Sequence, residues 1–306
     1  MHRLYILGKG LAHSKSPVMH NALYEAMGLD WHYEAEDCAT EEEARAFLAA
    51  RDFIGCNVTM PYKPLAYESA DVKASSAKLA RGANVLASKG GHLLAFNVDG
   101  QGLTDYLERT GFSFAGKSVV VCGTGPTSLA ILHASVLAGA QSVTLIGRNK
   151  ERSKRAISTY LQAFGRLAHL TLDAPAAIEG HRSFSEAYDA ASFLFGSYKT
   201  STQAIAAADL IVDATPCGMH VGDAAPFDTA LLNADQVVFD VVYGHGETAL
   251  LAAARQAGCE AHDGAGMLVA QAVATATTLF EINEVRVSLD TDEMFRIMAD
   301  AAGFQC

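Results

Sequence analysis

A lysine that follows a short apolar segment is the first residue in this chain with a clear chemical use. Phe53-Ile54-Gly55-Cys56 is typical of a strand, and Asn57-Val58-Thr59 continues it. Pro61 ends the strand, because proline cannot donate a backbone hydrogen bond to a neighbouring strand. Lys63 follows, where its ammonium can donate a proton to a developing alkoxide and stabilise its charge. A solvated surface cation is the alternative.

A glycine-rich turn is the second candidate site. Gly123-Thr124-Gly125-Pro126-Thr127-Ser128 follows the apolar segment Ser118–Cys122 and precedes a predicted helix that extends to about Leu137. Glycines there let the backbone approach a pyrophosphate at the positive end of the helix. The turn therefore predicts a dinucleotide site, with a ligand-free β–α turn as the alternative. Pro126 removes one N–H, and Ser128 stands where a third Gly or Ala is usual.

The end of the next predicted strand indicates which dinucleotide would bind. Ser142–Ile146 leads into Gly147-Arg148-Asn149-Lys150, and no acidic residue stands at this strand end. An acid there would bind the ribose diol of NAD, whereas a guanidinium can bind the 2′-phosphate of NADP. Arg148 and Lys150 therefore favour NADP over NAD, with a solvated basic helix start as the alternative.

Two α/β domains must position these residues. Strands and helices alternate through the first block, with a helix capped by Thr40 and a hairpin at Lys89-Gly90-Gly91. Buried strands from residue 118 onward, including 210–213 and 237–242, predict a Rossmann-type doubly wound parallel sheet. We expect an N-terminal α/β substrate-binding and catalytic domain over 1–103, completed by C-terminal helices over about 266–306, and a dinucleotide domain over 104–265.

Residues 165–202 follow neither the helical nor the strand period of apolar residues, and they predict an insertion in the dinucleotide domain. The segment is hydrophobic but aperiodic, and its aromatic residues could cover a face or form a subunit contact. Those aromatic residues are Phe184, Tyr188, Phe193, Phe195 and Tyr198.

Composition excludes several classes of partner. The chain has 306 residues, enough for two domains, and its net charge of −11 argues against nucleic acid or an anionic membrane as main partner. No basic-then-apolar leader and no apolar segment of membrane-spanning length is expected, which predicts a cytoplasmic protein. The cysteines are scattered, which predicts reduced thiols and no metal site. They are Cys38, Cys56, Cys122, Cys217, Cys259 and Cys306.

Ordered motifs along nearly the whole chain, apart from 165–202, resemble the shikimate dehydrogenase family. His13-Ser14-Lys15-Ser16-Pro17 is similar to the family's substrate loop, and Asn57–Lys63 is similar to its catalytic-lysine motif. Further blocks with the same resemblance are Ala83-Asn84, Asn97–Gly100, Asp213–Met219, Asp240–Tyr243 and Gly266–Ala272.

The resemblance implies reversible reduction of 3-dehydroshikimate to shikimate with NADPH, in aromatic amino-acid biosynthesis, by a monomer or homodimer. It implies that Lys63 and Asp99 form the catalytic pair, because a carboxylate holds the ammonium and favours its protonated form. Ser14, Ser16 and Tyr243 would hold the substrate carboxylate, and Asn57, Thr59, Asn84, Asp99 and Gln271 its ring hydroxyls. The cofactor would contact Gly123, Thr124, Gly125, Pro126, Thr127, Arg148, Lys150, Thr215, Gly264 and Met267. Taken singly, these positions are also ordinary loop, cap, turn and helix residues, and His13 is expected to be structural.

Departures from the family pattern leave the substrate and cofactor preference open. The family usually has Val-Asn-Thr at 83–85, Thr at position 98, Asn-Arg-Thr at 147–149 and Pro at 245; this chain has Ala83-Asn84-Val85, Val98, Gly147-Arg148-Asn149 and His245. Quinate or an aminated analogue is therefore an alternative substrate. From other classes, a non-catalytic dinucleotide-binding regulator is an alternative. A folate-specific two-domain enzyme lacks support, because its Tyr-x-x-x-Lys spacing is absent.

Overall fold

The computed structural model of the protein describes residues 2–171 and 191–304, which form a mixed α/β fold with two six-stranded sheets. The chain divides into two compact units, one over 1–103 with 266–306 and one over 104–265. The strands are β1 (His2–Gly8), β2 (Trp31–Asp37), β3 (Gly55–Val58), β4 (Val72–Lys73), β5 (Val85–Lys89), β6 (His92–Phe96), β7 (Ser118–Cys122), β8 (Ser142–Gly147), β9 (Ser192–Ser197), β10 (Leu210–Asp213), β11 (Val237–Asp240) and β12 (Glu260–His262). The helices are α1 (Ser16–Ala26), α2 (Glu41–Ala50), α3 (Lys63–Ser69), α4 (Ser75–Ala80), α5 (Asp99–Arg109), α6 (Pro126–Leu137), α7 (Lys150–Thr171), α8 (Thr202–Ala206), α9 (Ala249–Gln256), α10 (Ala265–Ile282) and α11 (Thr291–Ala302).

The first unit contains a mixed sheet in the order β2-β1-β3-β5-β6-β4. Strand β1 is parallel to β2 and β3, whereas β3–β5 and β5–β6 are antiparallel. Gly90 and Gly91 join β5 to β6 with φ of +58° and +80°, the left-handed backbone that a two-residue hairpin requires. The predicted cap of α2 is present as a capping box, because Thr40 and Glu43 each bond the other's backbone N–H.

Helix α10 is the longest apolar helix in the first unit. It has 18 residues with a mean hydropathy of 1.4, and 61% of the helix is buried inside the protein. The expectation that no segment is long and apolar enough to span a membrane was therefore wrong by length and composition. The physical reason is burial on several sides: Leu279 packs at Gly55 and Phe280 contacts Trp31, and a helix packed all round is apolar all round.

The second unit contains a parallel sheet in the order β12-β11-β10-β7-β8-β9. All its neighbouring strands run parallel, and β10 and β11 are buried along their whole length, as the doubly wound prediction requires. The sequence analysis missed β9 and β12, the two edge strands. Part of the proposed insertion at 165–202 belongs to this regular fold, since it contains the end of α7 and all of β9. Phe184 and Tyr188 lie outside the described residues.

Candidate active site

The backbone before Lys63 forms a tight turn between β3 and α3. Strand β3 ends at Val58, one residue earlier than predicted, and the Tyr62 N–H bonds the Thr59 carbonyl at 3.0 Å. Lys63 is the first residue of α3 and not a strand-end residue, and its own carbonyl accepts from Ala83 N–H at 2.9 Å. That bond fixes the lysine backbone beside the residue that precedes Asn84.

The Lys63 ammonium is paired with a buried carboxylate. Lys63 Nζ lies 2.5 Å from Asp99 Oδ2, and the two side chains are 13% and 7% exposed. The Asn84 amide donates to the other carboxylate oxygen, Oδ1, at 2.8 Å. Asp99 therefore has a partner on each oxygen, which compensates the burial of its charge. The arrangement presents an ammonium whose position is fixed by a carboxylate bonded at both oxygens.

Asparagines fix the position of Asp99 from two sides. Asn84 Oδ1 accepts from Val98 N–H at 2.9 Å, and Asn97 Oδ1 accepts from Asp99 N–H at 3.1 Å. Asn97 itself donates to the Gly82 carbonyl at 3.0 Å. The sequence analysis gave Asn97 no role of its own, although an asparagine two residues before a helix is a signal for such a cap.

Asn57 uses its side chain inside the protein. Its Oδ1 accepts from the Tyr33 hydroxyl at 2.7 Å, and its Nδ2 donates to Thr275 Oγ1 at 3.0 Å and to the Asn84 carbonyl at 3.3 Å. The oxygen and both amide hydrogens thus have protein partners, and Asn57 is 5% exposed. This geometry supports a positioning role for Asn57, which holds β3 beside Asn84, over the direct substrate contact expected above.

The loop that carries the two serines is held by an acid that the sequence analysis missed. Both oxygens of Asp37, at the end of β2, accept backbone N–H groups, from Gly10 at 2.8 Å and Leu11 at 2.9 Å. Ser14 is half-buried, Ser16 is buried at the start of α1, and Ser14 Oγ accepts from Ser16 N–H at 3.4 Å. The position of Asp37 at a strand end is the only sequence signal for this role.

Thr59 and Gln271, the remaining substrate-binding candidates of the first unit, each pack closely against a glycine. A Cβ on Gly8 would lie 2.5 Å from the Thr59 methyl carbon, so the glycine lets Thr59 pack over the end of β1. A Cβ on Gly102 would lie 2.6 Å from Gln271 Cβ, so α5 and α10 touch at these residues. Gly102 is one turn after Asp99, and this contact holds Gln271 at the helix that begins with Asp99.

The glycine turn of the second unit has the shape that a pyrophosphate needs. Gly123 has φ of +114°, and a Cβ there would lie 2.5 Å from Ser128 Oγ, so the two must both be small. A Cβ on Gly125 would meet nothing within 4 Å, which leaves open space before α6. Pro126 is the first residue of α6, a position whose N–H has no partner within the helix in any case. Thr124 and Thr127 are half-buried in the same turn.

The residues after β8 fit a second phosphate group. Strand β8 ends at Gly147, and Arg148 and Lys150 are exposed. Asn149 Oδ1 caps α7 by accepting from the N–H groups of Glu151 and Arg152 at 2.9 and 3.1 Å. Two cations therefore flank a helix N-terminus at a strand end without an acid, which suits the 2′-phosphate of NADP.

The other expected residues lie at the ends of the sheet and in α10. Thr215 N–H bonds Asp213 Oδ1 at 2.9 Å, and a Cβ on Gly264 would lie 2.1 Å from the Val241 carbonyl oxygen. Tyr243 follows β11 in the second unit, and burial raises the pKa of its phenol, which keeps it a neutral donor. Met267 is buried in the part of α10 that belongs to the first unit. Within 2–171 and 191–304, no three His, Cys, Asp or Glu side chains form a metal-binding group.

Known proteins with similar sequences and folds identify the family of this chain. The family model described as the shikimate dehydrogenase substrate binding domain matches residues 6–86. A relative from Symbiobacterium thermophilum, named shikimate dehydrogenase (NADP(+)), is 34% identical over 88% of this chain and 85% of its own.

Solved structures extend the similarity to nearly the whole chain. Shikimate dehydrogenase from Aquifex aeolicus aligns with a TM-score of 0.77 and 25% identity over 97% of each chain. Quinate dehydrogenase from Corynebacterium glutamicum, in complex with NAD, aligns with a TM-score of 0.76 and 27% identity over 98% of this chain and 99% of that one. With the sequence relatives, these matches show that the chain belongs to the shikimate dehydrogenase family.

Proposed function

We propose that this protein is an NADP-dependent shikimate dehydrogenase that reversibly reduces 3-dehydroshikimate to shikimate. The observation that carries the proposal is the Lys63–Asp99 pair, 2.5 Å apart and braced by Asn84, on a chain 34% identical to a relative of that name. Ketone reduction leaves an alkoxide that must be protonated, and an oriented ammonium supplies that proton. In the reverse direction, the same lysine accepts the proton from the hydroxyl group.

The remaining residues are proposed to bind the substrate. Ser14, Ser16 and Tyr243 donate hydroxyl hydrogens to its carboxylate, while Thr59, Asn84, Asp99 and Gln271 contact its ring hydroxyls. Asn57 positions these residues without contacting the substrate, because its side-chain amide is hydrogen-bonded to Tyr33, Thr275 and Asn84. The two compact units would serve as a substrate domain and a dinucleotide domain.

The second unit is proposed to hold NADP, which when bound supplies the hydride. Gly123, Thr124, Gly125, Pro126 and Thr127 would surround the pyrophosphate at the N-terminus of α6. Arg148 and Lys150 would bind the 2′-phosphate. Thr215, Gly264 and Met267 would complete the contacts.

An activity matrix tests this proposal. Purified protein is assayed with shikimate and quinate against NADP and NAD, and cofactor reduction is followed at fixed pH. We expect the highest kcat/KM with shikimate and NADP, and a loss of at least about 100-fold in kcat for Lys63→Ala. Lys78→Ala, which removes an exposed lysine from α4, is the matched control and should retain the wild-type rate. No turnover with any pair, by a folded protein, would refute an enzymatic function and leave a binding or regulatory role.

Quinate oxidation with NAD is the second candidate, since a quinate dehydrogenase in complex with NAD is among the similar structures. Quinate carries an extra hydroxyl on the carbon that bears the carboxylate. Discrimination would therefore arise around Ser14 and Ser16, whose loop Asp37 holds. A higher kcat/KM with quinate than with shikimate would establish this alternative. A cytoplasmic location and a monomeric or homodimeric state belong to the main proposal, and fractionation and light scattering test them.

A further inference from the structure

Two buried aspartates end adjacent strands in the second unit. Asp213 and Asp240 are register partners at the carboxyl ends of the parallel strands β10 and β11, and neither is exposed to solvent. Side chains at register partners of a parallel pair point to the same face of the sheet. Both residues line the same narrow cavity.

The hydrogen bonds of the two carboxyl groups differ. Asp240 is satisfied on both oxygens, by Val242 N–H at 3.0 Å and the Thr248 hydroxyl at 2.7 Å. Asp213 Oδ1 accepts from Thr215 N–H, but Oδ2 is buried with no partner among the described residues. A carboxylate oxygen without a donor is unfavourable in a buried site, whereas a protonated oxygen becomes a donor itself.

Among the described residues, no cationic side chain lines this cavity or acts directly on the Asp213 carboxyl group. The titratable groups that line the cavity or act on Asp213 and its neighbours within 2–171 and 191–304 are carboxyl, thiol and phenol groups, apart from one guanidinium that acts on Tyr198. These groups are Asp240 at the end of β11, Asp263 after β12, Asp223 and Cys217 in the loop after β10, Cys122 at the end of β7 and Tyr198 after β9. The guanidinium is that of Arg148, which acts on Tyr198. Two adjacent negative charges are therefore unfavourable there.

We propose that Asp213 holds a proton as a neutral carboxylic acid, and that in this form it is a positioning residue for the loops that carry Thr215 and Tyr243. Asp213 bonds the first loop through Thr215 N–H, and Asp240 bonds the second through Val242 N–H and Thr248. The proton on Asp213 removes the charge repulsion between the two carboxyl groups and turns the unpartnered Oδ2 into a donor. The effect on cofactor binding rests on the proposed function, whereas the protonated state does not.

Independent features support this role. Burial first, and then the charge of Asp240, raises the pKa of Asp213 to about 7. The two loops also touch directly, since a Cβ on Gly218 would lie 2.6 Å from the Thr248 methyl carbon. Loss of the proton therefore acts on two loops that are packed together, and loosens both.

The test compares the wild type with Asp213→Asn, which imitates the neutral acid because its amide is uncharged, has N–H donors and keeps an oxygen that can accept from Thr215 N–H. NADPH binding is measured by fluorescence from pH 6 to 9 without substrate. We expect the wild type to lose affinity about three- to tenfold relative to Asp213→Asn as the pH rises, and comparison at equal pH cancels titration of the ligand itself. Asp235→Asn, an exposed residue, should follow the wild type.

The thermal midpoint of the ligand-free protein separates this inference from the proposed function. The pKa of Asp213 is higher in the folded protein than in the unfolded chain. The stabilisation that its proton provides is therefore present at low pH and is lost as pH rises toward about 7. The midpoint of Asp213→Asn should therefore exceed that of the wild type by a margin that grows from pH 5 to 7 and then stays constant. A difference in midpoint that stays constant from pH 5 to 7 would overturn the proposal that Asp213 is protonated. Absence of NADPH binding at every pH would refute the proposed function alone.

Discussion

Asn84 donates its side-chain amide to Asp99 Oδ1 at 2.8 Å, on the side of the carboxylate opposite the oxygen that pairs with Lys63. The amide cannot rotate without loss, because its own oxygen accepts from Val98 N–H at 2.9 Å. Asn84 thus couples the orientation of Asp99 to the backbone that precedes α5. Lys63, the proposed catalytic lysine, is held by a carboxylate that is itself bonded at both oxygens.

Removal of the Asn84 side chain should weaken both catalysis and folding. Asn84→Ala deletes two buried hydrogen bonds and leaves Val98 N–H without its partner, so we expect the free energy of unfolding to fall by about 1–3 kcal/mol. Asp99 would lose its fixed orientation, and kcat/KM should fall about 10- to 100-fold. Urea unfolding and initial rates measure the two effects. Asn283→Ala, which removes one local bond to Leu279 just after α10, is the control for stability. An unchanged kcat/KM in Asn84→Ala would contradict the positioning role.

Local signals predicted much of the fold and of the site. The capping box of Thr40, the Gly90-Gly91 hairpin and the glycine turn before α6 all depend on residues within a few positions of each other. Lys63 was a candidate from its own segment, but its pairing with Asp99 came from the family resemblance, because 35 residues separate the two and no local pattern joins them. The first group follows from backbone preferences, whereas the second needs a known fold.

The rest depends on contacts between distant segments. Asn57 was expected to contact the substrate, but its partners Tyr33 and Thr275 come from β2 and α10. The bonds from Asp37 to Gly10 and Leu11 likewise join separate elements. Asp213 differs from an ordinary strand-end acid through its complete burial and its neighbour Asp240. Such pairings arise from sheet order, which apolar periodicity does not determine.

Two glycines of the second unit should respond differently to an added methyl group. A Cβ on Gly264 would lie 2.1 Å from the Val241 carbonyl oxygen, so Gly264→Ala forces a backbone shift, and we expect a loss of about 1–3 kcal/mol in unfolding free energy. Gly125 has open space and an ordinary φ of −87°, so Gly125→Ala should keep the wild-type thermal midpoint. It should nevertheless raise the KM for NADP about tenfold or more, because the methyl group occupies the approach to the pyrophosphate. Equal NADP affinity in Gly125→Ala would place the cofactor elsewhere.

Acid should destabilise the first unit through His20. This histidine is fully buried, stacks on Tyr33 at 4.3 Å, and burial lowers its pKa to about 3. The unfolded chain binds a proton below about pH 6.5 and the folded chain does not, so stability is lost as pH falls, by about 2 kcal/mol at pH 5. Denaturant unfolding at pH 7 and pH 5 measures this loss, which His20→Phe should reduce. His92→Phe, at an exposed position, should retain the full loss, and an equal loss in His20→Phe would disprove the assignment.

Arg148 should determine the preference for NADP over NAD. It is exposed and follows β8 directly, and no acidic residue stands at this strand end to bind a ribose diol. Arg148→Ala removes a guanidinium that can bind the 2′-phosphate through two hydrogen bonds, so KM for NADP should rise about tenfold or more while KM for NAD stays constant. Arg148→Lys should lie between, because an ammonium is a point charge without the planar fork. Lys154→Ala makes the same change in net charge one turn into α7 and should leave both constants unchanged; an equal effect of Lys154→Ala would reduce the role of Arg148 to general electrostatic attraction.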